Sequence, residues 1–367
     1  MLIRYGTDEK GRTIKKALIY TKDEHKISLK RIDSDAVNIV KRLEDYGFDA
    51  YIVGGAVRDL IVGKTPKDFD IVTDATPSKI KKIFHNSRII GKRFRLVHII
   101  VGNKIFETST FRSIIDGSVG NSFGTIDEDV KRRDFSINAL YYDPIKEYVI
   151  DYVGGVEDIK KRILKPVILL DRIFIEDPVR MLRAIKYSVT IGCKIPHSLK
   201  KKIIQSAALL SPTSPSRLTE ELMKILNSGF SAPIIKLALE TDLYIYLQPA
   251  ATNLILENKK FAQSYLNNLS LLDKFVEENK NARFGEKLYF ILKDFVESLT
   301  SWKAEIKSNT QSGELYKTTW SRCRNFILPM NPQRTELDFA VRKILYENGV
   351  KLKTKKPRAR IQKKLTF

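Results

Sequence analysis

The chain has 367 residues, 43% of them hydrophobic, which is enough for two or three domains with real cores. Sixty-five Lys and Arg against 43 Asp and Glu give a formal net charge of +22, which points to a polyanionic partner, nucleic acid first. The sequence has no run of about 18 uncharged apolar residues, so no membrane span is expected. The N-terminus lacks the apolar stretch of a secretory signal, and the two cysteines, Cys193 and Cys323, suit neither a disulfide framework nor a zinc site. A cytoplasmic monomer with free thiols is the expectation.

Residues 1–30 are polar and mixed, an extension with one marginal strand. Ser34 can cap a helix with an apolar stripe of Val37, Val40 and Leu43, ended by Gly47. Tyr51-Ile52-Val53 reads as a short buried strand. The Gly54-Gly55 pair after it lets the backbone approach a bound group closely, and Ala56 to Leu60 starts a helix whose free N–H groups attract anions. Asp68 and Asp70 follow as i and i+2. On a strand both carboxylates point to one face, while Phe69 and Ile71 point to the other. Two carboxylates on one face call for a cation between them, and Mg²⁺ with substrate phosphates is the natural one.

Thr76-Pro77 opens a helix through Phe84, and Val97–Val101 with Lys104–Thr110 make a hairpin around Gly102-Asn103. Glu107 is the only acid on its face of that second strand. If the strand neighbours the one carrying Asp68 and Asp70, three carboxylates converge on metal; exposure at a sheet edge is the other reading. His98 is expected to pack in the sheet. Arg133 can meet phosphate and Asp134 a ribose hydroxyl, although Asp134 also suits an ordinary cap. Leu140-Tyr141-Tyr142 and Tyr148-Val149-Ile150 form another hairpin around Asp143-Pro144.

After Pro166 the chain reads as helical. Asp177 caps a helix with Pro178 at its first position, and Val179, Leu182 and Ile185 face inward. Asp177, Arg180 and Arg183 share the opposite face at spacing i, i+3, i+6, an acceptor beside guanidinium groups that can match the edge of a base. Ser214 caps a further helix with Leu218, Leu222, Ile225 and Leu226 inward until Gly229. More helices without a chemical motif run from about 231 to 345. The end, from Lys351 through Lys364, carries eight basic residues and no acid, either an RNA contact or a solubilising tail. The expected fold class is α+β: an extension (1–30), a head with a small mixed β-sheet (31–165), an all-helical neck with base recognition (166–230), an RNA-binding helical body (231–345) and a basic tail (346–367).

The ordered set Gly54-Gly55-Ala56-Val57-Arg58-Asp59, Lys67-Asp68-Phe69-Asp70, Arg132-Arg133-Asp134-Phe135-Ser136-Ile137-Asn138-Ala139 and Glu176-Asp177-Pro178-Val179-Arg180-Met181-Leu182-Arg183 resembles the class II branch of the polymerase-β-like nucleotidyltransferases. That branch holds bacterial poly(A) polymerases and CCA-adding enzymes. Glu24-His25-Lys26-Ile27-Ser28, Ile90 to His98 and Ser214 to Lys224 look closer to the poly(A) polymerases. The resemblance implies that Asp68, Asp70 and Glu107 bind two Mg²⁺ ions. It implies that Gly54, Gly55 and Arg58 hold the triphosphate of ATP, and that Arg133 and Asp134, supported by Asn138, contact its ribose and phosphates. It implies that Asp177 and Arg180 pair with the base beside Arg183. The activity implied is template-independent addition of AMP to an RNA 3′-hydroxyl; the alternative is CCA addition to tRNA with CTP and ATP. Lys186-Tyr187 stands where the family commonly has Arg-Phe, which keeps the charge but loses the guanidinium fork.

Overall fold

The computed structural model describes residues 2–7, 11–91, 96–113, 123–307 and 312–352. The basic run from 353 onward, and residues 92–95 of the Ile90 to His98 segment, lie outside the described residues. Nine strands form one sheet: β1 (Leu2–Thr7), β2 (Thr13–Tyr20), β3 (Ala50–Val53), β4 (Asp70–Thr73), β5 (Ser87–Ile90), β6 (Leu96–Val101), β7 (Lys104–Thr110), β8 (Leu140–Asp143) and β9 (Tyr148–Asp151). The order is β1-β2-β9-β8-β3-β4-β7-β6-β5, and only β4 with β7 is parallel. The early helices are α1 (Lys22–His25), α2 (Ser34–Asp45), α3 (Gly55–Ile61), α4 (Pro77–Ile83), α5 (Ile126–Lys131) and α6 (Gly155–Lys161). Then come α7 (Ile173–Glu176), α8 (Arg180–Ile191), α9 (His197–Ser206) and α10 (Pro215–Leu226), and eight more helices from Ser231 to Glu347.

The first thirty residues hold two strands rather than one. Thr13–Tyr20 alternates β-branched and long side chains, and Leu18, Ile19 and Tyr20 pair with β9. That third partner supports a hairpin that would be marginal by itself. The cap of α2 is Asp33 rather than Ser34: its carboxylate accepts the Asp35 N–H at 2.9 Å. Ala36, Ile39, Val40 and Leu43 are the buried stripe, and Val37 is only half-buried. Gly47, at φ 80°, ends the turn as expected. Thr76 caps α4 at Lys79 N, and the hairpins at 102–103 and 143–144 form as read.

Strand alternation sets the two faces of the sheet. Tyr51 and Val53 of β3 lie opposite Val72 and Asp70 of β4, and Val53 lies opposite Tyr141 of β8. On that face Tyr51, Val53, Val72, Tyr141 and Ile150 pack with Ile126 and Val130 of α5. Buried area of this kind stabilises by roughly 25 cal/mol per Å².

The chain divides into two compact units, residues 1–180 with 190–206, and residues 181–189 with 207–367. The first contains the sheet. The described part of the second is helical, and its cores include Leu218, Leu222, Ile225 and Leu226 of α10, all buried. Among the described residues no helix is long and apolar enough to cross a membrane.

Candidate active site

Because β3 and β4 are antiparallel, the end of one meets the start of the other, with Val53 opposite Asp70. The Gly54-Gly55 turn leaves the sheet at that point. Gly54 sits at φ 70°, ψ −125°, a region that side chains other than glycine occupy only under strain. A Cβ on Gly54 would stand 3.5 Å from Arg133 Nη1, and one on Gly55 would stand 3.6 Å from Arg58 Nη2. Two guanidinium groups therefore back the turn.

Both are braced. Arg58 is buried; its Nη1 donates to Asn138 Oδ1 at 2.6 Å, and its Nε and Nη2 donate to Asp59 Oδ1 at 3.0 and 2.8 Å. The Asn138 amide continues the chain, donating from Nδ2 to Asp134 Oδ1 at 3.1 Å, and Asp134 also accepts the Phe135 N–H at 2.7 Å. Arg133 lies over the Tyr141 ring at 4.9 Å. Its Nε and Nη2 donate to Asp129 Oδ2 at 3.2 and 3.0 Å, its Nη1 donates to Asn138 O at 3.3 Å, and Tyr141 Oη donates to the same Asp129 oxygen at 2.7 Å. Burial works against the Arg133 charge, but the neighbouring Tyr141 and Asp129 outweigh it and push the guanidinium pKa up. Burial, with Asp129 adding to it, raises the Tyr141 phenol well above its ordinary value, so the phenol stays a donor.

The structure thus brings Gly54, Gly55, Arg58, Arg133, Asp134 and Asn138 together. It also shows two partners that sequence reasoning missed, Asp129 and Tyr141. The i, i+4 spacing of Asp129 and Arg133 was a readable signal for the first. The second follows from strand alternation only once β8 is known to pair with β3.

The carboxylates lie on the same face. The parallel register Ile71 to Thr108, carried back one residue, sets Asp70 beside Glu107, and both are exposed. The strand reading of Asp68 is corrected: β4 begins at Asp70, and Asp68 lies in the exposed loop before it. The ladder stops there because the next partner in register, opposite Phe69, is Gly54, which turns out of the strand to open α3. His98 lies in β6 with its side chain 26% exposed, as the cross-strand partner of Glu107, its Nε2 3.6 Å from Glu107 Oε1. Among the described residues, no group of three or more His, Cys, Asp and Glu side chains is gathered as a metal cluster.

Asp177 makes the capping bond read from the sequence. Its backbone is extended, φ −151° and ψ 99°, as both an N-cap and a residue before proline prefer, and its carboxylate accepts the Val179 N–H at 3.2 Å, although regular α8 begins only at Arg180. Arg180 donates to Ile173 O at 3.0 Å, to the Glu176 carboxylate at 3.1 Å and to Arg132 O at 3.4 Å, which ties it to the residue before Arg133. Arg183 belongs to the second unit. There it lies 3.7 Å from the buried Glu221 carboxylate, which also accepts from Lys186 at 3.2 Å. Burial lowers the Lys186 pKa against the pull of Glu221.

Residues 50–165 match the family described as the Poly A polymerase head domain, and residues 192–255 match the probable RNA and SrmB-binding site of polymerase A. Poly(A) polymerase I of Escherichia coli is 40% identical over 256 residues, covering 65% of this chain and 55% of that one. The CCA-adding enzyme of Geobacillus stearothermophilus is 36% identical over 223 residues, 58% of this chain and 54% of that one. The chain therefore spans little more than half the length of these curated relatives. Among solved structures, the CCA-adding enzyme of Bacillus stearothermophilus in complex with CTP aligns with a TM-score of 0.59 at 25% identity, covering 86% of this chain and 82% of that one. The Thermotoga maritima CCA-adding enzyme complexed with tRNA shares the fold, with a TM-score of 0.57 at 22% identity over 91% and 84% of the two chains.

Proposed function

We propose that this chain, a homologue of bacterial poly(A) polymerases and CCA-adding enzymes through its head and RNA-binding segments, transfers AMP from ATP to the 3′-hydroxyl of RNA without a template. The observation that carries the reading is the glycine turn backed by two braced guanidinium groups and set against Asp70 at the same edge of the sheet. A neutral ligand would have little use for such a turn, whereas a triphosphate matches both its open backbone and its cations.

In this reading the Gly54-Gly55 backbone approaches the phosphates because no Cβ intervenes. Arg58 and Arg133 supply positive charge from fixed positions, held by Asp59, Asn138 and Asp129. Fixed donors act without reorganising as charge shifts onto the leaving group. In the same reading Asp134 and Asn138 would contact the ribose, and Asp177 and Arg180 the base. The 3′-oxygen forms its bond to the α-phosphorus, the bond from that phosphorus to the pyrophosphate breaks, and the hydroxyl proton passes to solvent.

Asp70 and Glu107 offer hard carboxylate oxygens on neighbouring strands, a donor set that fits Mg²⁺, which takes one or two carboxylates together with substrate phosphates, and Asp68 in the loop before β4 is the further carboxylate in this reading. When bound there, such ions would lower the pKa of the attacking hydroxyl and neutralise charge on the departing pyrophosphate. Cys193 and Cys323 are both buried and neither is in a disulfide.

CCA addition is the second reading, favoured by the fold match to the CTP-bound enzyme. The higher identity to poly(A) polymerase I supports AMP addition as the first reading. Purified chain given ATP, Mg²⁺ and an unstructured RNA is expected to release one pyrophosphate for each AMP added. ATP consumption that yields no pyrophosphate, or no labelled RNA, would sink the reading.

A further inference from the structure

A cleft of about 570 Å³ opens in the first unit between the turn at Leu29–Arg31, the loop before β4 and the start of β7. Its size falls within the roughly 300–1,000 Å³ of pockets that hold nucleotide-sized ligands. Asp68 forms part of the wall. Lys30, Lys67 and Lys104 bring positive charge to it, while Phe69 and Ile105 present apolar surface. Lys104 is fixed there by Asp33 at 2.7 Å and Asp35 at 3.0 Å. Ile105 is 60% exposed and stands two residues before Glu107 on the same strand face.

The sheet order decides what this cleft can face. β4 lies between β3 and β7, so the glycine turn stands on one side of Asp70 and the cleft opens from the other. Phosphoryl transfer is an in-line displacement, in which the nucleophile approaches opposite the leaving group. With the triphosphate at the glycine turn, the acceptor hydroxyl must come from the β7 side. We propose that this cleft receives the 3′-terminal nucleotide of a single-stranded RNA acceptor, with Lys30 and Lys67 against its phosphates and its base on Phe69 and Ile105. Such a surface takes any base, because stacking and phosphate contacts carry no sequence information. The proposal rests on the transferase reading above and deepens it by placing the acceptor.

The test uses the full chain and a twelve-residue oligo(A) ending in a photoreactive 4-thiouridine. Irradiation is expected to attach the RNA end to peptides containing residues 64–69 or 104–106. Lys30→Glu and Ile105→Asp each alter an exposed position; each is expected to raise the KM for the oligonucleotide about tenfold, with the KM for ATP within about twofold of the parent. Cross-links confined to other peptides, or an unchanged RNA KM in both variants, would overturn the proposal. The cross-linking arm needs no turnover. Attachment at the cleft by a chain that adds no AMP would support the cleft while defeating the transferase reading; turnover with cross-links only elsewhere would do the reverse.

Discussion

Asp70→Asn is expected to cut AMP incorporation by about a thousandfold while leaving the fold intact. Asp70 is the first residue of β4 and is exposed, so the substitution buries nothing new, and its ladder contact with Val53 is made by the backbone. What changes is the charge on one oxygen. A carboxylate that helps hold a catalytic cation contributes several kcal/mol, and about 4 kcal/mol corresponds to three decades in rate. Glu107→Gln should cost less, because the Glu107 side chain is more than half exposed. Initial rates at saturating ATP, with circular dichroism melts of both proteins, check the pair. A normal rate in a folded Asp70→Asn protein would remove Asp70 from the chemistry.

The second large effect is on stability. Asp129→Ala is expected to destabilise the first unit by about 2–3 kcal/mol, because it takes the carboxylate from a largely buried guanidinium that keeps only Tyr141 Oη and Asn138 O as hydrogen-bond partners among the described residues. Asp129 Oδ2 accepts from Arg133 Nε, Arg133 Nη2 and Tyr141 Oη, and no other carboxylate is seen to pair with Arg133 among the described residues. Asp129→Asn keeps an acceptor oxygen and should lose less. The measurement is the urea midpoint followed at a sheet wavelength. A shift too small to resolve in the alanine variant would mean that Arg133 finds another partner, and the bracing argument would fall. In the fraction that stays folded, the KM for ATP should rise, since Arg133 would no longer be held behind Gly54.

Much of this site could be read before folding because its parts are local. A glycine pair after a short apolar run, a proline after a threonine and an aspartate four residues before an arginine each act within one turn of chain. Asp68 was misplaced for a non-local reason: whether a residue belongs to a strand depends on its partner, and β3 ends where Gly54 turns away. Asp177 was legible as a cap because the extended backbone that Pro178 imposes on the residue before it is also the one an N-cap takes, though regular α8 starts two residues later than read. The N-terminal hairpin was underestimated because its support comes from β9, about 130 residues further on. Tyr141 could not be assigned from sequence at all, since an apolar strand position and a guanidinium brace look alike until β8 is placed beside β3.

The central claim is that the head adds AMP, and AMP alone, to RNA ends. The most direct test offers the purified protein a tRNA lacking its 3′ CCA and an unstructured RNA, each with labelled ATP or CTP and Mg²⁺, and sizes the products on a gel. Long ladders from ATP on both RNAs are the expected result. Addition that stops at three nucleotides, on tRNA only and with CTP required, would contradict it.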